Sequence, residues 1–194
     1  MAYSVNNVTV GKPGIGGCVY RADAGTTLPT DAVTTLASAF KNMGYISDEG
    51  IKETVERTTE DIKAYGGDTV ATPQTEFKVE FGMTFLETLN VEAIKAVNGS
   101  SNVSGALSTG LTVLVNSKEL PEGVWAIDQV LNGNVSYRIV IPKGKITEVG
   151  EITYVDGEPV GFEVTIAALP DSSGNASYKY MKTVSGGSGG SGTS

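Results

Sequence analysis

Any acid–base chemistry in this chain would fall to its carboxylates, because the 194 residues include no histidine. Histidine-based triads, the common zinc sites and histidine proton relays are thereby excluded. The pairs Asp48-Glu49 and Glu60-Asp61 are sequence neighbours in polar segments, where solvated charge explains them better than a tuned dyad does. Asp156, Glu158 and Asp171 could meet a calcium ion between loops, but turn chemistry accounts for them more simply. No G-x-S-x-G elbow and no Walker loop is present. The glycines at 14, 16 and 17 superficially look like a phosphate loop, yet the helix that must follow one is missing. Cys18 is the single cysteine, cannot close an internal disulfide, and sits among glycines with no basic neighbour; it reads as a small buried residue. Neither an enzyme nor a cofactor or metal site is expected.

The elements that would position any site are mostly strands, organised around Glu76 to Gly99. Phe77, Val79, Phe81, Met83 and Phe85 alternate on one face there, with Glu76, Lys78, Glu80 and Thr84 on the other. Leu89, Ala93, Ile94 and Val97 then recur at helical spacing, with Asn90 as N-cap and Asn98-Gly99 as the stop. Before this unit, Val5, Val8 and Val10 with a turn at Lys12-Pro13-Gly14 and a strand through Cys18, Val19 and Tyr20 suggest an opening hairpin. Residues 24–32 form a loop around Gly25 and Pro29. Val33, Leu36, Ala37, Phe40 and Met43 fall at helical spacing and predict a second helix closed by Gly44. From Ile51 to Gly67 the chain is polar, threonine-rich and charged with both signs; a solvated strand or arm fits better than a helix with so few apolar anchors. Turning at Gly66-Gly67-Asp68, it would make a long hairpin with the strand at Phe77.

After the helix come a polar loop over 98–104 and strands at 110–115 and 124–131, then Asn132-Gly133-Asn134 as a hairpin turn. Alternation from Val135 to Ile141 ends at Pro142, and strands at 146–154 and 159–169 are joined by Asp156-Gly157. The turn spacing is that of a β-sandwich or barrel with one short flanking α-helix and a long projecting hairpin or loop. A single domain over 1–184 is expected, followed by a flexible Gly/Ser linker or tag at 185–194. Lys and Arg total 14 against 22 Asp and Glu, a net charge of −8, which argues against a surface that holds nucleic acid. The opening residues carry no cationic start with an apolar run, so no secretion signal is expected, and no apolar run reaches the ~18 residues of a membrane span.

YRADAGTTLPTDA at 20–32, FKNMGYISDEGI at 40–51, EFKVEFGMTFLETLNVEAIKAVNG at 76–99 and RIVIPKGKITEVGEITYVDGEPVGFEVTIAALPD at 138–171 together carry a resemblance. In their order and spacing they resemble the major tail proteins, the tail tube subunits, of long-tailed, siphovirus-like bacteriophages. The resemblance implies a β-sandwich with a short helix, assembled as hexameric rings stacked into a hollow tube through which genome DNA passes on ejection. It also implies tape measure, tail tip and terminator proteins as partners, and a place in the virion tail after assembly in the host bacterial cytoplasm. No membrane insertion is implied.

The residues fit that role. A ring requires one patch to meet a different patch on the next subunit, and strand edges and long arms supply such patches. Tyr45, Ile46, Ile51, Val55, Arg57, Ile62 and Tyr65 are the candidate oligomer interface. Glu76, Glu80, Glu148 and Glu163 lie on the polar sides of alternating strands and are the candidate lumen-facing acids, where net acidity would keep DNA from being held. The alternative is that these acids face outer solvent. The alternative function is a surface-exposed β-sandwich binding or adhesion module.

Overall fold

The computed structural model describes residues 3–14, 17–132 and 134–184. Its strands are β1 (Lys12–Pro13), β2 (Val19–Asp23), β3 (Lys41–Asn42), β4 (Lys52–Thr59), β5 (Ile62–Lys63), β6 (Thr69–Ala71), β7 (Gln74–Phe85), β8 (Val103–Ala106), β9 (Gly110–Val113), β10 (Gly123–Leu131), β11 (Val135–Val149), β12 (Phe162–Leu169) and β13 (Tyr178–Thr183). One helix, α1 (Val91–Asn98), follows β7. A nine-stranded antiparallel sheet runs in the order β3-β2-β10-β11-β12-β7-β4, with β1 added on β10 and β13 on β11.

β11 holds this sheet together because it changes partners halfway. Val135 to Val140 pair with β13, and Lys143 to Val149 pair with β12 on the same edge. Pro142 falls in the gap between them and beside a register shift in the β10 ladder, so its missing N–H costs no hydrogen bond. The sheet folds back on itself at this strand. Val19, Trp125, Ile127, Ile139 and Ile141 from one half share a single core with Val79, Phe81, Met83, Phe85, Ile146, Val164 and Ile166 from the other. Phe85 and Trp125 stack across that core with centroids 6.5 Å apart. The sheet does not close into a barrel: the edge strands β4 and β13 share no ladder and are joined by an ion pair from Lys179 to Glu53 at 2.6 Å. The result is a mainly β sandwich.

α1 covers the core with Ala93, Ile94, Ala96 and Val97. Asn90 caps it by accepting from the Glu92 N–H at 3.0 Å, and Gly99, at φ 87°, ends it by donating to the Lys95 carbonyl at 2.8 Å. Leu89 lies outside the helix and is exposed. The alternation in β7 holds from Val79 to Phe85, whereas Phe77 sits beyond the sandwich and is exposed.

Three expectations are corrected. Residues 33–43 form no helix. Asp31 does accept from the Val33 and Thr34 N–H groups, at 2.7 and 2.6 Å, as an N-cap would. However, Arg138 takes the carbonyls of Asp31 and Thr34 at 3.1 and 2.8 Å, groups a helix would have needed for its own next turn. This loop instead lays Leu28, Leu36 and Phe40 over the outer side of β10 and β11, against Val124, Ala126 and Val140. The opening hairpin is also absent: β1 pairs with β10, Lys12 opposite Val130, and β2 pairs with β10 and β3. Finally, the strand expected at 146–154 is the far half of β11, and β13 joins the sheet unannounced. Gly16, Gly133 and the linker at 185–194 lie outside the described residues.

Candidate functional site

β4 and β7 pair from Lys52 opposite Gly82 out to Thr59 opposite Gln74, and β5 and β6 extend the same hairpin to its tip. Every residue of β4 is exposed, and so is β7 as far as Lys78. The pattern that buries Val79 and Phe81 in the core continues outward as Val55, Phe77 and Arg57, with the Arg57 guanidinium 4.4 Å over the Phe77 ring. Ile62, Tyr65 and Val70 stand exposed near the tip. An apolar stripe therefore leaves the core and runs along the arm uncovered. Tyr45 is exposed at the base of the sandwich, its N–H donating to Glu87 at 3.0 Å. Ile46 bridges to Phe85, and it and Ile51 pack partly against the chain's own core. Beyond β7, β4 has no strand partner among the described residues, which leaves an open edge.

Glu76, Glu80, Glu148 and Glu163 all lie on one face of the sheet, the face turned away from the core. The registers show it: Thr58 opposes Glu76, Glu80 opposes Thr54 and Ala167, Glu163 opposes Thr84, and Glu148 opposes Thr165. The same face carries Glu56 and the cations Lys52, Lys78, Lys143 and Lys145. Lys78 pairs with Glu80 at 2.9 Å, a contact that raises the lysine's affinity for its proton. Lys52 pairs with Glu49 at 2.7 Å, which lowers the Glu49 pKa. Between the charges stand the small residues Thr54, Thr84, Thr165, Gly82 and Ala167, so the face is of mixed charge.

Elsewhere polar groups are consumed by structure. Cys18 is buried, and burial raises its pKa. Asp171 accepts from the Tyr178 hydroxyl at 2.6 Å and from the Ser173 and Asn175 backbone, which lowers its pKa in a simple turn. A groove of about 710 Å³ between Gly11 and the 44–51 loop is lined by Tyr45, Ile46 and Glu87 and by Ser47, whose hydroxyl lacks a hydrogen-bond partner. Among the described residues no group of three or more His, Cys, Asp or Glu side chains is placed to hold a metal ion. No helix among them is long and apolar enough to cross a membrane.

Compared with known families, residues 1–186 match the one described as Phage tail tube protein. The chain belongs to the phage tail tube protein family. No protein with a curated description matches it. As a tail tube protein it is a structural component of the phage tail and not an enzyme, and the family implies self-association into a tube together with other tail proteins. Sequence reasoning expected the strand at 110–115 that is β9, but missed Phe77 and Val70 on the arm and missed β8, which begins inside the loop expected over 98–104 and pairs with β9 in an uncharged hairpin exposed throughout except Val103 and Leu111. The absence of any charged side chain between Lys95 and Lys118 was the signal available for that hairpin.

Proposed function

We propose that this tail tube protein assembles into hexameric rings stacked as the tail tube of a long-tailed phage, a conduit for double-stranded DNA during ejection. The observation that carries the reading is the uncovered apolar stripe on an arm beside an open strand edge, a surface that water does not favour and a neighbouring copy would cover. Tyr45, Val55, Arg57, Ile62 and Tyr65 contribute to that interface, with Ile46 and Ile51 supporting it from beneath. A patch on an arm meeting a different patch on the next copy is the heterologous contact that closes rings or extends filaments. Hexameric order follows the family resemblance.

The outward face of β4, β7, β12 and β11 lines the bore in this reading. Duplex DNA carries one negative charge per ~1.7 Å of axis, so a lysine-rich wall would retain it through many phosphate contacts. Glu76, Glu80, Glu148 and Glu163 offset the lysines of this face and leave DNA unheld. Assembly takes place in the host bacterial cytoplasm, with tape measure, tail tip and terminator proteins as partners. The test is replacement of these four acids by lysine: tubes form while genome ejection slows or stops. Ejection at the normal rate from such particles would overturn the bore assignment.

A further inference from the structure

We infer that the β8–β9 hairpin of one copy binds the uncharged N-terminal segment, residues 3–11, of a second copy. The inference rests on the self-assembly reading above. No charged side chain occurs before Lys12, nor between Lys95 and Lys118, in a chain that carries 36 charged side chains, the sum of 14 basic and 22 acidic. Both segments expose apolar groups: Tyr3, Val5, Val8 and Val10 in one, Leu107, Val113, Leu114 and Val115 in the other. Charge-free surfaces match each other and would be poor partners for the mixed-charge arm and sheet face.

The hairpin is held in a fixed pose. Asn102 is buried at its base, donates to the Asn98 carbonyl at 2.7 Å and accepts from Asn116 at 3.0 Å, while the Leu114 N–H donates to the Asn102 carbonyl at 2.8 Å. Beyond that clamp β8 and β9 form a sheet of two strands among the described residues, which is marginal in water and gains from a third. After a 3-10 turn at Val5–Asn7, the segment entering β1 is exposed from Val8 to Gly11 and belongs to no helix or strand there, so it can be laid along an open strand edge as an added peptide is.

The two segments also sit at opposite ends of β10. Lys12 pairs with Val130 at one end. At the other, Gly123 pairs with Gly144, the adjacent Lys145 is ion-paired with Glu119, and Leu120 lies against Gly99 beside the hairpin's base. From Gly123 to Val130 the strand spans about 23 Å at ~3.3 Å per residue. Different patches at opposite ends of one subunit are what a head-to-tail contact between successive copies requires.

Cross-linking tests this. Leu114→Cys and Val10→Cys variants are mixed, allowed to assemble and oxidised; native Cys18 is buried and stays silent. Disulfide-linked dimers form in the mixture and are absent from either variant alone. Assembled tubes with no cross-link in the mixture, or equal cross-linking of each variant by itself, would overturn the pairing. A second arm uses Leu114→Asp with Val115→Asp, at positions already exposed, so the monomer melts as wild type does. Its assembled fraction falls at least about tenfold, since a carboxylate would be buried unpaired, and it recovers when mixed with Val8→Lys, Val10→Lys protein. Unchanged assembly of the aspartate variant overturns the hairpin contact alone. Failure of the wild type to assemble overturns both this inference and the tube reading.

Discussion

Arg138 ties together two parts of the chain that lie more than a hundred residues apart. It is buried, forms a two-pronged ion pair with Asp128 at 2.6 and 2.8 Å, and fastens the 31–34 loop through two carbonyls. The hydrogen bonds to Asp128 raise its already high pKa, so it stays charged at every working pH. Arg138→Ala strands Asp128 and frees the loop; a loss of about 3 kcal/mol is expected in urea unfolding. Asp31 gives a pH signature. Its bonds to Thr34 and Val33 lower its pKa from 3.8 to about 2, so the folded form binds this proton less tightly than the unfolded one. Its stabilisation is complete above the unfolded value and disappears as pH falls from near 4 toward 2. Acid unfolding of Asp31→Asn lacks that component, and identical acid curves for variant and wild type would contradict the assignment. Gly144 is fixed by contact: a Cβ there would lie 2.3 Å from Trp125, whose indole N–H donates to the Gly144 carbonyl at 3.2 Å. Gly144→Ala is expected to cost about 1–3 kcal/mol, read as a lower melting temperature.

Among the elements, the arm separates stability from assembly. Val55, Ile62 and Tyr65 are exposed in the single chain, so replacing them with Asp, Asp and Ala should shift stability by no more than about 0.5 kcal/mol each. Size-exclusion chromatography should nevertheless show loss of assembled protein. Normal assembly by this triple variant would remove the arm from the interface. The arm was legible because its polarity and threonines leave a helix nothing to bury, and the β7–α1 unit because period and caps agree at each residue. Asn90→Ala should accordingly cost about 1 kcal/mol in thermal unfolding. The 33–43 segment misled for a tertiary reason: its spacing and its Asp31 cap are those of a helix, and Arg138, over a hundred residues away, claims its carbonyls. Pairing was equally hidden. Nothing local in Lys12-Pro13 states that it joins β10, and Pro142 reads as a stop unless the change of partners along β11 is known. The polar face was legible within β7, where Lys78 alternates with Glu76 and Glu80; Lys52, Lys143 and Lys145 became part of it only through register.

At the scale of the whole molecule, three surfaces of the sandwich are left uncovered among the described residues: the arm stripe, the open β4 edge and the uncharged segments at either end of β10. A net charge of −8 opposes association through self-repulsion while such surfaces favour it, so on the proposed reading assembly should increase with concentration. Self-assembly into a hollow tube is the claim on which the rest depends. The most direct test is negative-stain electron microscopy of the purified protein across a concentration series, with and without residues 185–194. Rings or tubes with a central hole, growing in number with concentration, are the predicted result. Single particles at every concentration in both forms would contradict it.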